Sequence, residues 1–290
     1  MKQLVVVSGK GGTGKTVVTA SFAALAGNAV LADVDVDASN LHLLLRPEVL
    51  ERHEFVGGSK ARVEARGCTA CGRCRPVCRF DAVSEDGDGI ARVDPLACEG
   101  CGLCARVCPA SAILMEPCVS GEWFVSRTRF GPFVHARLGV AQENSGKLVT
   151  EVRKKAREIG EREGRAFLLM DGAPGIGCPV IASLAGTDLA LIVTEPTPSG
   201  VHDLERIAGL ARHFKVRAAC AVNKFDINPG NSERIEAWSA GQGIPVVGKI
   251  PFDEAVLGSV ARGVPLVEAS EGPAARGVRR LWDRVREHLA

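Results

Sequence analysis

The 290-residue chain lacks any strong charge of one sign: 36 Lys and Arg stand against 34 Asp and Glu, a formal net charge of +2. That balance gives no reason to expect nucleic-acid binding, and no block of like charge marks a basic arm or an acidic tail. No run approaches the roughly eighteen apolar residues that would span a bilayer. The opening MKQLVVVSGK is too short in apolar residues for a signal peptide and runs straight into glycines, so a cytoplasmic location is expected. The six histidines form no H-E-x-x-H or similar grouping. No repeat of solenoid length recurs. What is present is ordinary for a soluble globular protein, 46% apolar and 24% charged residues, in a chain long enough for one large α/β core and a small second module. Cysteine is the exception, with eleven. Without an export signal these do not suggest a disulfide scaffold, and the eight between Cys68 and Cys108 point to metal ligation.

Apolar runs closed by glycine or turn residues predict strands at 3–9, from 29 into an acidic loop near Asp35, at 165–175 running into a loop, and at 188–196, 217–226 and 244–253. Helices are predicted at 15–27, 145–163, 201–213 and 232–239. Residues 54–67 are polar and weakly periodic and read as a junction, and 122–139 is a glycine- and aromatic-bearing stretch. The order is β-α-β, an insert, then α-β repeated, which favours a parallel sheet with helices on both faces. The expected domains are 1–62 with 116–290, and an inserted 63–115 that carries the eight cysteines.

GKGGTGKT at 9–16 satisfies G-x-x-x-x-G-K-[ST] between a predicted strand and a predicted helix. Glycines let the backbone N–H groups of Gly11, Gly12, Thr13 and Gly14 close around phosphate oxygens, and the helix N-terminus adds positive potential. Lys15 is expected to reach the β- and γ-phosphates, and the Thr16 hydroxyl to help hold Mg²⁺.

The second lysine, Lys10, makes this loop resemble the deviant Walker A loop of the MinD/ParA/Mrp and nitrogenase iron protein superfamily. The resemblance implies a dimer in which Lys10 reaches the nucleotide of the other subunit. It implies that DVDVDASNL is switch I, with Asp35 orienting the attacking water and Asp33 beside Mg²⁺. FLLMDGAPG resembles the Walker B strand and switch II, making Asp171 the Mg²⁺-linked carboxylate, while Gly175 would present an N–H to the γ-phosphate. VNKFD resembles both the guanine-reading NKxD, through Asp226, and the adenine-contacting Asn of related ATPases; the loop type favours ATP, with Asn223 and Pro251 at the base. Val17 departs from the family, where many relatives have a threonine that contacts the α-phosphate.

The insert repeats C-x₂-C-x₂-C-x₃-C at 68–78 and 98–108, the bacterial ferredoxin spacing, and thiolates suit iron–sulfur clusters. Zinc is the rival, although zinc sites normally use two separated C-x₂-C pairs. In two-cluster ferredoxins the fourth cysteine of each run serves the other cluster. That resemblance assigns Cys68, Cys71, Cys74 and Cys108 to one [4Fe–4S] cluster, and Cys78, Cys98, Cys101 and Cys104 to a second. Arg79 stands where ferredoxins usually have proline.

Cys178 lies seven residues after Asp171, the offset of a cluster-ligating cysteine in the nitrogenase iron protein. By that resemblance Cys178 and Cys118 could form a third metal or cluster site at a dimer interface, or both could be small buried hydrophobes. Cys220, in an apolar strand, reads as core. The C-terminal helix places Val278, Leu281, Trp282, Val285 and Leu289 on one face, which reads as docked on the sheet rather than on a membrane. The expectation is an Mg²⁺-dependent ATPase, a homodimer or a heterodimer with a paralogue. It would couple nucleotide state to electron transfer or to metal–sulfur cluster assembly and delivery to a redox or acceptor protein. The alternatives are a MinD/ParA-like spatial regulator and an iron–sulfur-sensing regulatory ATPase.

Overall fold

The computed structural model describes residues 1–139 and 144–290. The chain divides into two compact units, one of Met1–His53, Trp123–Arg137 and Ser145–Ala290, the other of Glu54–Glu122 and Leu138–Asn144.

The first unit begins with β1 (Lys2–Ser8), whose Leu4, Val5, Val6 and Val7 are buried. The phosphate loop leads into α1 (Lys15–Ala26), stopped at Gly27, and then β2 (Ala29–Asp33) and α2 (Leu41–Leu45). β3 (Glu48–Val63) follows. β4 (Val83–Glu85), β5 (Ala91–Val93) and α3 (Leu103–Val107) belong to the second unit. β6 (Ile113–Thr128) and β7 (Gly131–Leu138) are joined by two residues, a spacing that only an antiparallel pair allows. Alternating units complete the chain: α4 (Ser145–Arg162), β8 (Phe167–Pro174), α5 (Cys178–Leu184), β9 (Leu189–Thr194), α6 (Pro198–His213), β10 (Arg217–Asn223), α7 (Pro229–Gly241) and β11 (Val246–Ile250). α8 (Ala255–Arg262), α9 (Leu266–Ala269) and α10 (Pro273–Leu289) close it.

The large sheet has the order β11-β10-β9-β1-β8-β2-β7-β6-β3. β1 lies parallel between β8 and β9, β2 lies parallel between β8 and β7, and β10 lies parallel between β9 and β11. The central strands are buried along their length because both faces are covered. Leu4, Val6, Leu31, Leu169 and Leu191 face α1 and α10, whose Phe22 and Trp282 rings lie 4.9 Å apart. On the opposite face α4 comes so close that a side-chain carbon at Gly160 would sit 2.8 Å from Val30. The five apolar residues of α10 are each 2% exposed or less, so this helix is a layer of the core. Among the described residues no helix is long and apolar enough to cross a membrane.

Two segments differ from the sequence reading. Residues 54–63 continue β3 as strand, and 122–139 contribute β6 and β7. β3 is the edge of the sheet, where one side has no partner strand and the usual apolar alternation is not demanded.

The second unit has a small core of Ala61, Ala82, Val83, Ala91 and Ile113 together with the sulfur-bearing Cys74, Cys98 and Cys104. Its β4 and β5 pair antiparallel, Val83 opposite Val93.

Candidate functional site

Two sites emerge, one in each unit. In the first, the carboxyl ends of the parallel strands β1, β2 and β8 bring the phosphate loop, Asp33 and Asp171 together, at the point of an open α/β sheet where ligands bind. Gly14 caps α1 at φ 93°, and a side-chain carbon there would lie 2.5 Å from the Asn223 amide nitrogen, so only glycine is accommodated. That amide, Asn223 Nδ2, donates to the Thr13 carbonyl at 2.8 Å and ties β10 to the loop. Gly12, Gly14, Lys15, Thr16 and Val17 line an open cavity of about 1460 Å³, its mouth included. Asn223, Pro251 and Phe252 line its far end. Gly11 is exposed beside it. Lys15 is buried, and Thr13 buries a hydroxyl that has no partner among the described residues. Asp226 does not face this cavity; its carboxylate accepts the Phe252 N–H at 2.7 Å and pins the segment after β11.

Asp33 and Asp171 occupy matched positions on adjacent strands. Burial and the neighbouring Asp171 push Asp33 well above the usual carboxylate range, although its oxygens accept bonds from Ser39 Oγ (2.8 Å) and the N–H groups of Leu41 (3.1 Å) and Asp35 (3.1 Å). Burial pushes Asp171 to about 6, opposed by Thr16, Lys15 and Thr19, whose hydroxyl donates to it at 3.1 Å. Burial also raises Asp35, with Lys15 opposing. Three mutually repelling carboxylates with raised proton affinities, two of them beside Lys15, form a site that gains by taking up a cation. Gly175, at φ 87°, donates its N–H to the Ser8 carbonyl at 2.8 Å.

Lys10 is held within its own chain: Nζ lies 3.2 Å from Thr197 Oγ1 and 3.5 Å from Glu195, which also binds Lys224 at 2.6 Å. Glu195, Thr197 and Ser39 escape a sequence reading. Glu195 follows β9, a strand that lies beside β1 only because of the sheet order, and nothing local announces that.

In the second unit the eight cysteines sort into two hollows. Cys68, Cys71, Cys74 and Cys108 line one, with about 360 Å³ of empty space including its mouth. Cys78, Cys98, Cys101 and Cys104 line the other, with about 340 Å³. Gly72 and Gly102, at φ 69° and 71°, let each loop turn back on itself. The Ala112 N–H donates to Cys108 Sγ at 3.3 Å. Burial pushes the Cys74 and Cys104 thiols up; Cys68, Cys71 and Cys108 add to it at Cys74, and Cys98 and Cys101 at Cys104. Among the described residues no three His, Cys, Asp or Glu side chains converge on a single ion position.

Cys118 lies on β6 in the second unit, half-buried, and Cys178 begins α5 in the first, exposed. Cys220 is buried, its thiol pushed up to about 12 by that burial. His42 and His135 stack at 6.1 Å, with His135 also against Phe133 (4.6 Å) and Phe124 (4.9 Å).

A glycine loop between a strand and a helix, with acidic residues ending the neighbouring parallel strands, defines a P-loop nucleotide-binding protein of the MinD/ParA ATPase class. The profile of the CobQ/CobB/MinD/ParA nucleotide binding domain matches residues 4–266, and the chain belongs to that family. It is 31% identical to an uncharacterized protein of Methanocaldococcus jannaschii, over 99% of this chain and 97% of that one. It is 24% identical to the iron-sulfur cluster carrier protein of Pyrococcus horikoshii, over 48% of this chain and 52% of the other. The septum site-determining protein MinD of Pyrococcus horikoshii, solved with Mg-ADP, shares the fold with a TM-score of 0.60 at 16% identity, covering 98% of this chain and 95% of that chain.

Proposed function

We propose that the protein is an ATP-binding and ATP-hydrolysing dimer that couples nucleotide state to two [4Fe–4S] clusters, for electron transfer or for cluster assembly and delivery to an acceptor protein. The observation that carries this reading is the four-and-four sorting of the cysteines. Each hollow takes three thiols from one loop and its fourth from the other, the crossed arrangement of two-cluster ferredoxins. Three thiols from one C-x₂-C-x₂-C loop joined by a fourth from the other suit a cluster better than a zinc ion, whose sites normally use two separated C-x₂-C pairs. The clusters, when bound, would supply one-electron chemistry; this chain's part is to hold them and to limit their contact with water.

At the nucleotide, Lys15 neutralises the β- and γ-phosphates and the loop's N–H groups hold their oxygens. Thr16 and Asp33 hold Mg²⁺ together with Asp171, and Asp35 orients the attacking water. Asn223 and Pro251 meet the base. Adenine is favoured over guanine because Asp226, the carboxylate that would read guanine, does not line the cavity, whereas Asn223 does. Lys10 leaves Glu195 to reach across a homodimer, or a heterodimer with a paralogue, and Gly175 exchanges its bond to the Ser8 carbonyl for one to the γ-phosphate. Cys118 and Cys178 are proposed for a further metal or cluster site between subunits, and the protein is placed in the cytoplasm.

Anaerobic reconstitution tests the reading. About eight iron and eight sulfide per chain are expected, with electron paramagnetic resonance signals of the reduced protein that change on adding MgATP. Signals identical with and without MgATP would remove the coupling. The second reading, a positioning ATPase like its MinD fold relatives, has the fold in its favour. Against it, the apolar face of α10 is used in the core, so that helix does not offer it to a membrane.

A further inference from the structure

The turn between β9 and α6 carries one carboxylate that serves two lysines. Glu195 Oε1 accepts from Lys224 Nζ at 2.6 Å, and its Oε2 lies 3.5 Å from Lys10 Nζ. Lys10 also donates to Thr197 Oγ1 at 3.2 Å, and no other carboxylate among the described residues pairs with it. The turn is firmly built. The Thr197 N–H donates to the Glu195 carbonyl at 2.8 Å, and Thr197 Oγ1 caps α6 by accepting the Gly200 N–H at 3.1 Å. Lys224 is anchored as well, its N–H donating to Asn223 Oδ1 at 3.0 Å. When Lys10 withdraws, Glu195 keeps Lys224, and Thr197 keeps the Gly200 N–H and Ser199 Oγ at 3.2 Å. No group is stranded without a partner, so the penalty that locks a buried ion pair shut does not arise. Neither Lys10 nor Glu195 lines the nucleotide cavity, whereas Lys224 does. In this position Lys10 serves no nucleotide of its own chain.

We propose that Glu195 and Thr197 park Lys10 in the nucleotide-free chain and thereby restrain the ATP-dependent dimer, a regulation that rests on the reading of Lys10 as the lysine that reaches the other subunit's nucleotide. Dimer formation then exchanges an ammonium–carboxylate pair within the chain for an ammonium–phosphate pair across the interface. The polyphosphate of ATP carries more charge than one carboxylate, which drives the exchange when ATP is bound. Each dimer requires two such exchanges, one for each Lys10, so a modest hold on the lysine acts twice. Lys224 makes the device reversible: it keeps Glu195 paired and in place to take Lys10 back when the subunits part. A carboxylate that only fastened Lys224 would leave self-association indifferent to its loss.

The test follows self-association of the full chain, kept anaerobic, by sedimentation with Mg²⁺ and the ATP analogue AMP-PNP, and measures analogue affinity per chain on the same samples. Glu195→Gln removes the charge at nearly constant shape, and Thr197→Val removes the other acceptor of Lys10 without touching Lys224. A partly exposed ion pair resists opening by a factor of up to about five, entering twice per dimer. E195Q is therefore expected to tighten the dimer by about three- to twentyfold, and T197V by less, with analogue affinity essentially that of the unaltered chain. In the nucleotide-free chain an amine-reactive ester should acetylate Lys10 severalfold faster in E195Q, read by peptide mass spectrometry. K10A should abolish the dimer, and K10A/E195Q should behave as K10A. Melting temperatures establish that the variants fold, and T197V carries the test where E195Q does not. A dimer of unchanged or lower affinity in the folded variants overturns the proposal, as do equal acetylation of Lys10 and the absence of self-association in every form. Self-association undiminished in K10A sinks the reading of Lys10 itself. Loss of the dimer in K10A with no change in E195Q and T197V removes only the restraint.

Discussion

The nucleotide site turns on single atoms. Gly14 has the Asn223 amide where a side chain would begin, and a backbone angle that other residues adopt only under strain. Gly14→Ala is expected to cost about 1–3 kcal/mol of stability and to weaken ATP binding at least about tenfold, by thermal melting and by titration with a fluorescent analogue. Asp171 gives a change of opposite sign. Its folded carboxyl keeps a proton to about pH 6, against an ordinary 3.8. As pH rises between those values the unfolded chain ionises first, so stability is lost across that window and stays lost above it. Asp171→Asn should therefore raise the melting temperature of the nucleotide-free protein at neutral pH, with the gain fading toward pH 4, while ATP hydrolysis falls to background. A lower melting temperature at pH 7.5 would refute the account. Lys15 and Asp171 were legible because each sits in a local motif. Glu195, which holds Lys10 and Lys224, was not, because its role depends on two strands distant in sequence becoming neighbours.

Among the elements, β7 carries a pH response. His135 is half-buried against two phenylalanines and His42, and its imidazole is pushed down to about 4, by burial first and then by His42. The folded chain refuses a proton that the unfolded chain accepts near pH 6.5, so this residue's contribution fades as pH falls from about 6.5 to about 4, by about 2–3 kcal/mol in all. His135→Phe keeps the stack and removes the proton site. Its stability, followed by urea titration at several pH values, should decline less across that window; parallel curves would exclude His135 as the cause. The strand itself was hard to read from sequence. β6 and β7 mix aromatics, arginines and glycines near an edge of the sheet, where burial is one-sided and the apolar pattern thins. The central strands were legible for the converse reason: burial on both faces demands the unbroken apolar runs of Leu4–Val7 and Leu189–Val193.

On the scale of the whole molecule, the resemblance of the cysteine runs to two-cluster ferredoxins implied the crossed grouping of thiols that the two hollows show. Cys108→Ser should lower the iron recovered at the hollow of Cys68, Cys71 and Cys74, although residue 108 lies thirty-four positions beyond Cys74 in the chain. The other hollow should keep about four iron per chain. Loss confined to the hollow of Cys98, Cys101 and Cys104 would mean that the pairing is not crossed. The two-unit division was less legible: β3 and β6 each contribute residues to both units, so no break in composition marks the passage.

The crossed cysteines also set an order in time. A ribosome delivers residues from the N-terminus, so the first loop emerges with three of its four thiols and waits for its last. The hollow that begins later in the sequence is complete at Cys104, before the earlier one is complete at Cys108. Neither loop can finish its own site in isolation, and during synthesis the second site is ready four residues ahead of the first.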